Sequence, residues 1–344
     1  MLAARAVPLA GWAYLGYGLI RPPRSPLARA LFWIDGALSV GAHAAQIPAA
    51  IRALEPLGVP RARTALLTFV FGADLVARRA AGAPVKVLVT GATGHVGGRV
   101  VADLAEHGHQ VRALVRRPDA KLPDGVEPVL GDLTGSAPLW RACAGAEAVV
   151  HSAALLGESG DKAVYWDTNV RGTRRLLNTS REAGCRVFVF IGSPSATLDP
   201  DGGDQLGVDE SAPYPKRFFD VYSETKAVAE QLVLAANTPE FRTCSLRPRA
   251  VWGPGDRTGP VMRILGKMRD GRLPDLDRGK PVLESMCYVD HIAQAARLAL
   301  TAERAAGKAY FITDAEPVDL WAMIREAAAL FELPPPTKRV PRRC

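Results

Sequence analysis

The 344-residue chain is poor in cysteine and histidine, and neither falls at a spacing that known chemistry uses. The five cysteines, Cys143, Cys185, Cys244, Cys287 and Cys344, are odd in number and widely separated, with no CxxC. That argues against a disulfide framework or zinc site and for reduced thiols. The six histidines contain no HExxH or comparable ligand spacing, so no metal is expected. There is no GxSxG elbow and no internal repeat. Charge of one sign is in modest excess, with 43 Lys and Arg against 35 Asp and Glu, a formal +8. The basic residues are dispersed, with small clusters at Arg78-Arg79, Arg116-Arg117 and Lys338-Arg339. No aromatic-interleaved basic stripe occurs, so no nucleic-acid partner is expected. Anionic phospholipid or a phosphorylated cofactor accounts for the excess. A hydrophobic content of 48% supplies ample core and excludes a disordered chain.

From Val85 onward, short apolar runs alternate with helical patterns. Strands are predicted at Val85–Thr90, Gln110–Val115, Val126–Leu130, Ala148–His151 and Arg186–Gly192. Helices are predicted after the glycine loop as far as His107, at Trp166–Ala183 and at Tyr222–Ala236. This order implies an α/β fold, a Rossmann-type doubly wound parallel sheet. Beyond it come a strand at Thr243–Arg247, Gly/Pro-rich loops, and helices near Val261–Asp270, Val289–Thr301 and Leu320–Phe331. They suggest a small C-terminal substrate lobe. The expected division is a cofactor-binding core over about 84–242 and a lobe mainly over 243–344.

Between the first strand and first helix stands Thr90-Gly91-Ala92-Thr93-Gly94-His95-Val96-Gly97-Gly98. Gly91 permits a tight turn, Gly94 lets backbone approach a pyrophosphate, and Gly97 lets the helix pack closely on the sheet. The helix N-terminus then stabilises the phosphate charge. Gly91, Thr93, Gly94, His95, Val96 and Gly97 are therefore candidate dinucleotide contacts. An acid at the end of the second strand binds ribose hydroxyls, whereas an arginine there accommodates a 2′-phosphate. The sequence reads Leu114-Val115-Arg116-Arg117, with no acid before Asp119. This favours NADP over NAD, with Arg116 on the phosphate.

Tyr222-Ser223-Glu224-Thr225-Lys226 fits YxxxK, and i, i+4 spacing puts both side chains on one helix face. Oxidation or reduction at a carbinol carbon moves a hydride at carbon and a proton at oxygen. A phenol with a reference pKa near 10 exchanges that proton poorly at neutral pH. A neighbouring ammonium and the positive nicotinamide ring are expected to favour the phenolate and lower it. Tyr222 and Lys226 are thus the candidate catalytic pair. A hydroxyl at the end of the fifth strand would bind the substrate oxygen, and Gly192-Ser193-Pro194-Ser195 offers Ser193 or Ser195.

Residues 1–83 differ in character, with three apolar segments, Ala6–Ile20, Ala30–Ile51 and Thr64–Val76. A helical span needs about 20 apolar residues. The second segment reaches that length, and the first and third are short, which tilting or thinning accommodates. Two further apolar segments and the lack of a small-residue cleavage site argue against a secretory signal. The expectation is a helical membrane anchor of up to three spans, with the remaining chain facing the cytoplasm; a helical cap with one buried face is the alternative. The Arg21/Arg24/Arg29 loop then lies on the cytoplasmic side, as the positive-inside rule requires. Arg52, Arg61 and Arg63 in the opposite loop run against that rule. The stretch from His43-Ala44-Ala45-Gln46 through Thr68-Phe69-Val70-Phe71-Gly72 resembles a small multi-span membrane family.

Further motifs extend the glycine loop and YxxxK: Gly131-Asp132-Leu133, Val150-His151-Ser152-Ala153-Ala154 and Asn169-Val170-x-Gly172-Thr173. Together they resemble the extended short-chain dehydrogenase/reductase family. The resemblance implies that Asp132 and Leu133 lie along the adenine, Ala153 lies beside the nicotinamide ribose, and Lys226 holds the ribose hydroxyls. It favours Ser193, the first serine after the strand, although Pro194 departs from the commonest form. Leu246-Arg247-Pro248, Trp252-Gly253-Pro254-Gly255-Asp256 and the run from Ala309 to Trp321 resemble the 3β-hydroxysteroid dehydrogenase branch. Tyr288-Val289-Asp290 resembles a structural motif of that family, which speaks against an Asp290-His291 catalytic dyad. The branch implies an apolar substrate, a steroid or sterol, including sterol-4α-carboxylate 3-dehydrogenases that decarboxylate. Alternatives are a 2-alkyl-3-oxoalkanoate or other lipid-like ketone reductase, a nucleotide-sugar epimerase or dehydratase, and a non-catalytic NADP-sensing module. A homodimer through the YxxxK helix is also implied. The substrate and an anchor together would place the enzyme in lipid metabolism at a membrane surface.

Overall fold

The computed structural model describes residues 47–48, 84–156, 161–257, 259–275, 280–334, 336 and 338–339. The three apolar segments expected to form an anchor lie outside the described residues, apart from 47–48. Among the described residues no helix is long and apolar enough to cross a membrane. Contacts divide the chain between Ala83 and Pro84.

The unit from Pro84 is built on seven parallel strands: β1 (Lys86–Thr90), β2 (Gln110–Val115), β3 (Glu127–Leu130), β4 (Ala148–His151), β5 (Val187–Ile191), β6 (Arg242–Pro248) and β7 (Lys308–Ile312). They lie in the order β3-β2-β1-β4-β5-β6-β7. The order reverses between β1 and β4, and ligands of open α/β sheets bind in the crevice at such a switch point. Central strands of a covered parallel sheet read as unbroken apolar runs; Val187-Phe188-Val189-Phe190-Ile191 is buried throughout. Alternate side chains feed two cores. Val87, Val89 and Val150 pack with Val100, Leu104 and Ile292 on one face. Leu88, Val149, Phe188 and Phe190 pack with Leu139, Leu176 and Val233 on the other.

The helices are α1 (His95–Glu106), α2 (Ser136–Cys143), α3 (Lys162–Tyr165), α4 (Thr173–Glu182), α5 (Val221–Ala235), α6 (Pro260–Arg269), α7 (Val289–Ala299) and α8 (Leu320–Leu330). Between α3 and α4 the chain is a π-helix, Trp166–Gly172. The single helix expected over Trp166–Ala183 is therefore a composite. Helix α2 has no counterpart in the sequence reading, because Gly135 and Pro138 suggest a loop there. Pro138 sits in the first turn, where a missing N–H costs nothing. Helix α1 is stapled to α7 by Arg99 to Asp290 at 2.6 Å and Arg297 to Asp103 at 2.9 Å.

Strands β6 and β7 belong to the central sheet although they follow residue 242, so the C-terminal lobe is smaller than residues 243–344. The lobe consists of α6, α8 and short pairs such as Val251–Trp252 with Cys287–Tyr288. Met268, Trp321, Ile324 and Ala328 form its own core.

Candidate active site

The loop after β1 is shaped by its glycines. Gly91 has φ of +69°, and a Cβ there would lie 2.7 Å from the Ala153 nitrogen. A Cβ on Gly97 would lie 2.1 Å from the Gly91 carbonyl oxygen. The Gly94 N–H donates to the Gly91 oxygen at 2.9 Å, closing the turn. Gly94 is the N-cap of helix α1, which has no side-chain cap and no acid in its first turn. Its first N–H groups are left for an anion. Thr93 and Gly94 are exposed at the tip, and Val96 is half-buried behind them. His95 Nε2 is buried without a hydrogen-bond partner among the described residues, and its Nδ1 lies 3.9 Å from Asp256 Oδ1. A bare helix N-terminus, glycines where a Cβ would collide, and an orphaned polar atom beside them fit a dinucleotide pyrophosphate.

The ends of β2 and β3 form a cavity of about 400 Å³ lined by Arg116, Leu130, Gly131, Asp132 and Thr134. Hydrogen bonds from Thr134 hold the Asp132 carboxyl below its ordinary value, with Arg116 and Arg175 adding to the effect. Arg117 is 80% exposed and faces Asp119 at 4.0 Å, so Arg116 is the arginine of the pair that lines the cavity. Leu133 is buried beside it, its carbonyl accepting from Arg175 at 3.0 Å. The Ala153 N–H donates to Thr90 Oγ1 at 3.2 Å, which fixes the chain after β4 against the glycine loop.

Helix α5 opens on Asp220, whose carboxylate accepts from both the N–H and hydroxyl of Ser223 at 2.7 Å. This N-cap sets the position of Tyr222. The Ser193 side chain, just after β5, acts on the Tyr222 phenol and favours its ionised form. Ser193 Oγ is 2.8 Å from Ser195 Oγ and also accepts from the Ser195 N–H at 3.3 Å. Ser193 is thus the serine that acts on Tyr222, and Ser195 is its hydrogen-bond partner. Lys226, one turn along α5, is 3% exposed; its ammonium donates to the Ile191 carbonyl at 2.6 Å and lies 4.0 Å from the Phe190 ring centre.

The expected lowering of the Tyr222 phenol is not a property of the chain alone. Burial pushes it up to about 12, against the pull of the Ser193 hydrogen bond. Burial also pushes Lys226 down to about 7, with Glu230 opposing. The ammonium is directed at the Ile191 carbonyl and the Phe190 face, which weakens its hold on the phenol.

Sequence reasoning missed the group that supports Lys226. Glu230, one further turn along α5, is fully buried. Its carboxylate accepts from Arg247 Nη2 at 2.6 Å, Ser245 Oγ at 2.6 Å and the Tyr214 hydroxyl at 2.8 Å. Gly192 is required beside it, since a Cβ there would lie 2.5 Å from Ser245 Oγ. The i, i+4 step from Lys226 to Glu230 was the available signal. Asp290 and His291 form no dyad: Asp290 pairs with Arg99 and His291 with Asp314 at 2.8 Å. Among the described residues no group of acids, histidines and cysteines could hold a metal ion.

Residues 88–341 match the 3-beta hydroxysteroid dehydrogenase/isomerase family. A 3-beta-hydroxysteroid dehydrogenase of Mycolicibacterium neoaurum is 35% identical over 254 residues, 70% of this chain and 68% of that protein. A 2-alkyl-3-oxoalkanoate reductase of Stenotrophomonas maltophilia is 38% identical over 258 residues, 72% of this chain and 76% of that protein. Among solved structures, a short-chain dehydrogenase/reductase superfamily protein from Agrobacterium tumefaciens with bound NAD superposes with a TM-score of 0.63 at 28% identity, covering 74% of this chain and 85% of that one.

Proposed function

The chain belongs to the 3-beta hydroxysteroid dehydrogenase/isomerase family and is a nicotinamide-dependent oxidoreductase, and from this we propose that it interconverts a 3β-hydroxyl and a 3-keto group on a steroid or sterol, using NADP. The observation that carries the reading is the meeting of Ser193, Tyr222 and Lys226 at the C-terminal end of β5, on the same sheet edge as the Gly91–Gly97 cradle. Arg116 in the cavity beyond β2 supports NADP over NAD.

When bound, the nicotinamide supplies or accepts the hydride at the carbinol carbon. The Ser193 hydroxyl orients the substrate oxygen. As a phenol, Tyr222 donates its proton to a ketone oxygen as that oxygen gains charge. In the oxidising direction Tyr222 must take up that proton, and Lys226 is the cation of this chain one turn away that favours the phenolate. On a substrate carrying a 4α-carboxylate, oxidation gives a β-keto acid. Its neighbouring carbonyl takes up the charge as carbon dioxide leaves, so the chain needs no further group.

The similarity to the Stenotrophomonas protein favours a second reading, reduction of a 2-alkyl-3-oxo acid by the same residues. Both readings involve an apolar substrate, and residues 1–83 would then hold the domain against a bilayer with its cytoplasmic side carrying the site. Purified full-length protein is offered 3β-hydroxysteroids, 4α-carboxysterols and 2-alkyl-3-hydroxy acids with NADP or NAD. Sterol turnover with NADP is expected. Turnover of acyclic acids alone moves the substrate to the second reading, and a preference for NAD removes the role of Arg116. Equal turnover of membrane-embedded substrate by residues 84–344 would dispose of the anchoring role.

A further inference from the structure

Behind the site runs a buried chain of hydrogen bonds with one ring at its centre. Thr90 Oγ1 lies 2.7 Å from His151 Nδ1, and His151 Nε2 lies 2.9 Å from Thr173 Oγ1. Thr173 Oγ1 donates to the Asn169 carbonyl at 2.6 Å. The Asn169 side chain accepts from the Leu155 N–H at 2.7 Å and donates to Thr225 Oγ1 at 3.1 Å; Thr225 in turn donates to the Tyr222 carbonyl at 3.0 Å. Thr90, His151, Thr173 and Asn169 are each at most 2% exposed. The chain therefore joins β1, β4, the π-helix and the helix of Tyr222.

Proton counting fixes the state of the ring. A hydroxyl has one proton to give. Thr173 gives its proton to the Asn169 carbonyl, so it can only accept from His151, and Nε2 carries hydrogen. Thr90 accepts from the Ala153 N–H and gives its own proton to Nδ1. A second ring proton would leave the Thr90 hydroxyl hydrogen without an acceptor in a site closed to water, an expensive arrangement. Burial and the nearby Lys226 charge also push His151 down to about 3. The π-turn makes the link, since π-bulges concentrate at functional sites and this one carries Asn169 between β4 and α5.

We propose that His151 is a positioning residue, held as the neutral Nε2–H tautomer, that registers the cofactor-side strands against the helix carrying Tyr222 and leaves Lys226 as the cation of the site. The proposal rests on the oxidoreductase reading. It assigns His151 no contact with substrate or cofactor.

The test reads the ring directly. In full-length protein labelled with 15N at histidine, the His151 signal is expected to show hydrogen on Nε2 alone, unchanged between about pH 5.5 and 8, where an ordinary imidazole titrates. An Nδ1–H tautomer, or titration within that range, overturns the proposal. Thr173→Val keeps the shape but removes the acceptor, so the Nε2–H is left buried and unpaired. NADP(H) binding by nicotinamide fluorescence should then weaken about ten-fold, as for loss of one buried hydrogen bond. Thr173→Ser should restore the acceptor and the affinity. Unchanged affinity in Thr173→Val would also overturn the proposal, whereas wild-type protein with the locked ring and bound NADP(H) but no turnover would count against the oxidoreductase reading alone.

Discussion

Replacing Lys226 by methionine is expected to stabilise the cofactor-free protein while removing its activity. Lys226 is buried, and its ammonium has the Ile191 carbonyl and the Phe190 ring as neighbours. Burial brings it from 10.5 to about 7. In the unfolded chain it keeps its ordinary value. Between about pH 7 and 10.5 the unfolded state therefore binds more protons than the native state, and stability rises with pH across that window. At about 1.36 kcal/mol per pH unit, the fall from 10.5 to about 7 costs the native state roughly 4–5 kcal/mol at neutral pH. Methionine keeps an apolar stem against Phe190 but removes the donor to Ile191, which returns about 1–3 kcal/mol. The net gain is roughly 1–4 kcal/mol at pH 7, or several degrees in Tm at about 2–4 °C per kcal/mol. Near pH 10 the ionisation cost is almost gone while the lost hydrogen bond remains, so the gain should turn into a loss of roughly 0–2 kcal/mol. Thermal and urea unfolding without NADP, at pH 7 and pH 10, measure this. A variant less stable than wild type at pH 7, or a difference that does not change with pH, would refute the reasoning.

Glu230→Gln leaves the Arg247 guanidinium buried without its counter-charge, and removal of one partner of such a pair costs about 3–5 kcal/mol; urea unfolding should show it. Tyr222→Phe keeps the ring and loses the proton carrier, so kcat should fall about 10²–10⁴-fold while NADP(H) titration moves little. Arg116→Ser should weaken NADP about ten-fold, the scale of one charge-assisted contact, and leave NAD unchanged; paired binding titrations decide it.

Much of the sheet was legible because its strands are short apolar runs bounded by glycine or charge. The expected Gln110–Val115 and Ala148–His151 are the observed strands, and the predicted helix at Tyr222–Ala236 is displaced by one residue from Val221–Ala235. Strand β7 was less legible. Lys308-Ala309-Tyr310-Phe311-Ile312 lies at the sheet edge with most residues only half-buried, so neither continuous burial nor clean alternation marks it. Helix α2 was hidden by Gly135 and Pro138, whose loop signals are local, whereas Leu139, Ala142 and Cys143 gain their burial from partners on the sheet. The π-helix has no compositional sign at all in Trp166–Gly172.

At the site, the distinction is between residue type and environment. YxxxK identifies a phenol and an amine on one helix face, and the spacing alone suggests that the amine lowers the phenol. The structure gives the amine other neighbours, and burial moves both groups toward their neutral forms. The two shifts have one leading cause, burial, and for Lys226 the burial is against Phe190 and Ile191 of β5. Burial of this kind strengthens any charge that enters the site. Glu230 and Arg247 follow the same rule. They are 17 residues apart, and only the pairing of α5 with β6 brings them within 2.6 Å. The pair places the Glu230 carboxylate four residues from Lys226, where its charge opposes the fall of that lysine.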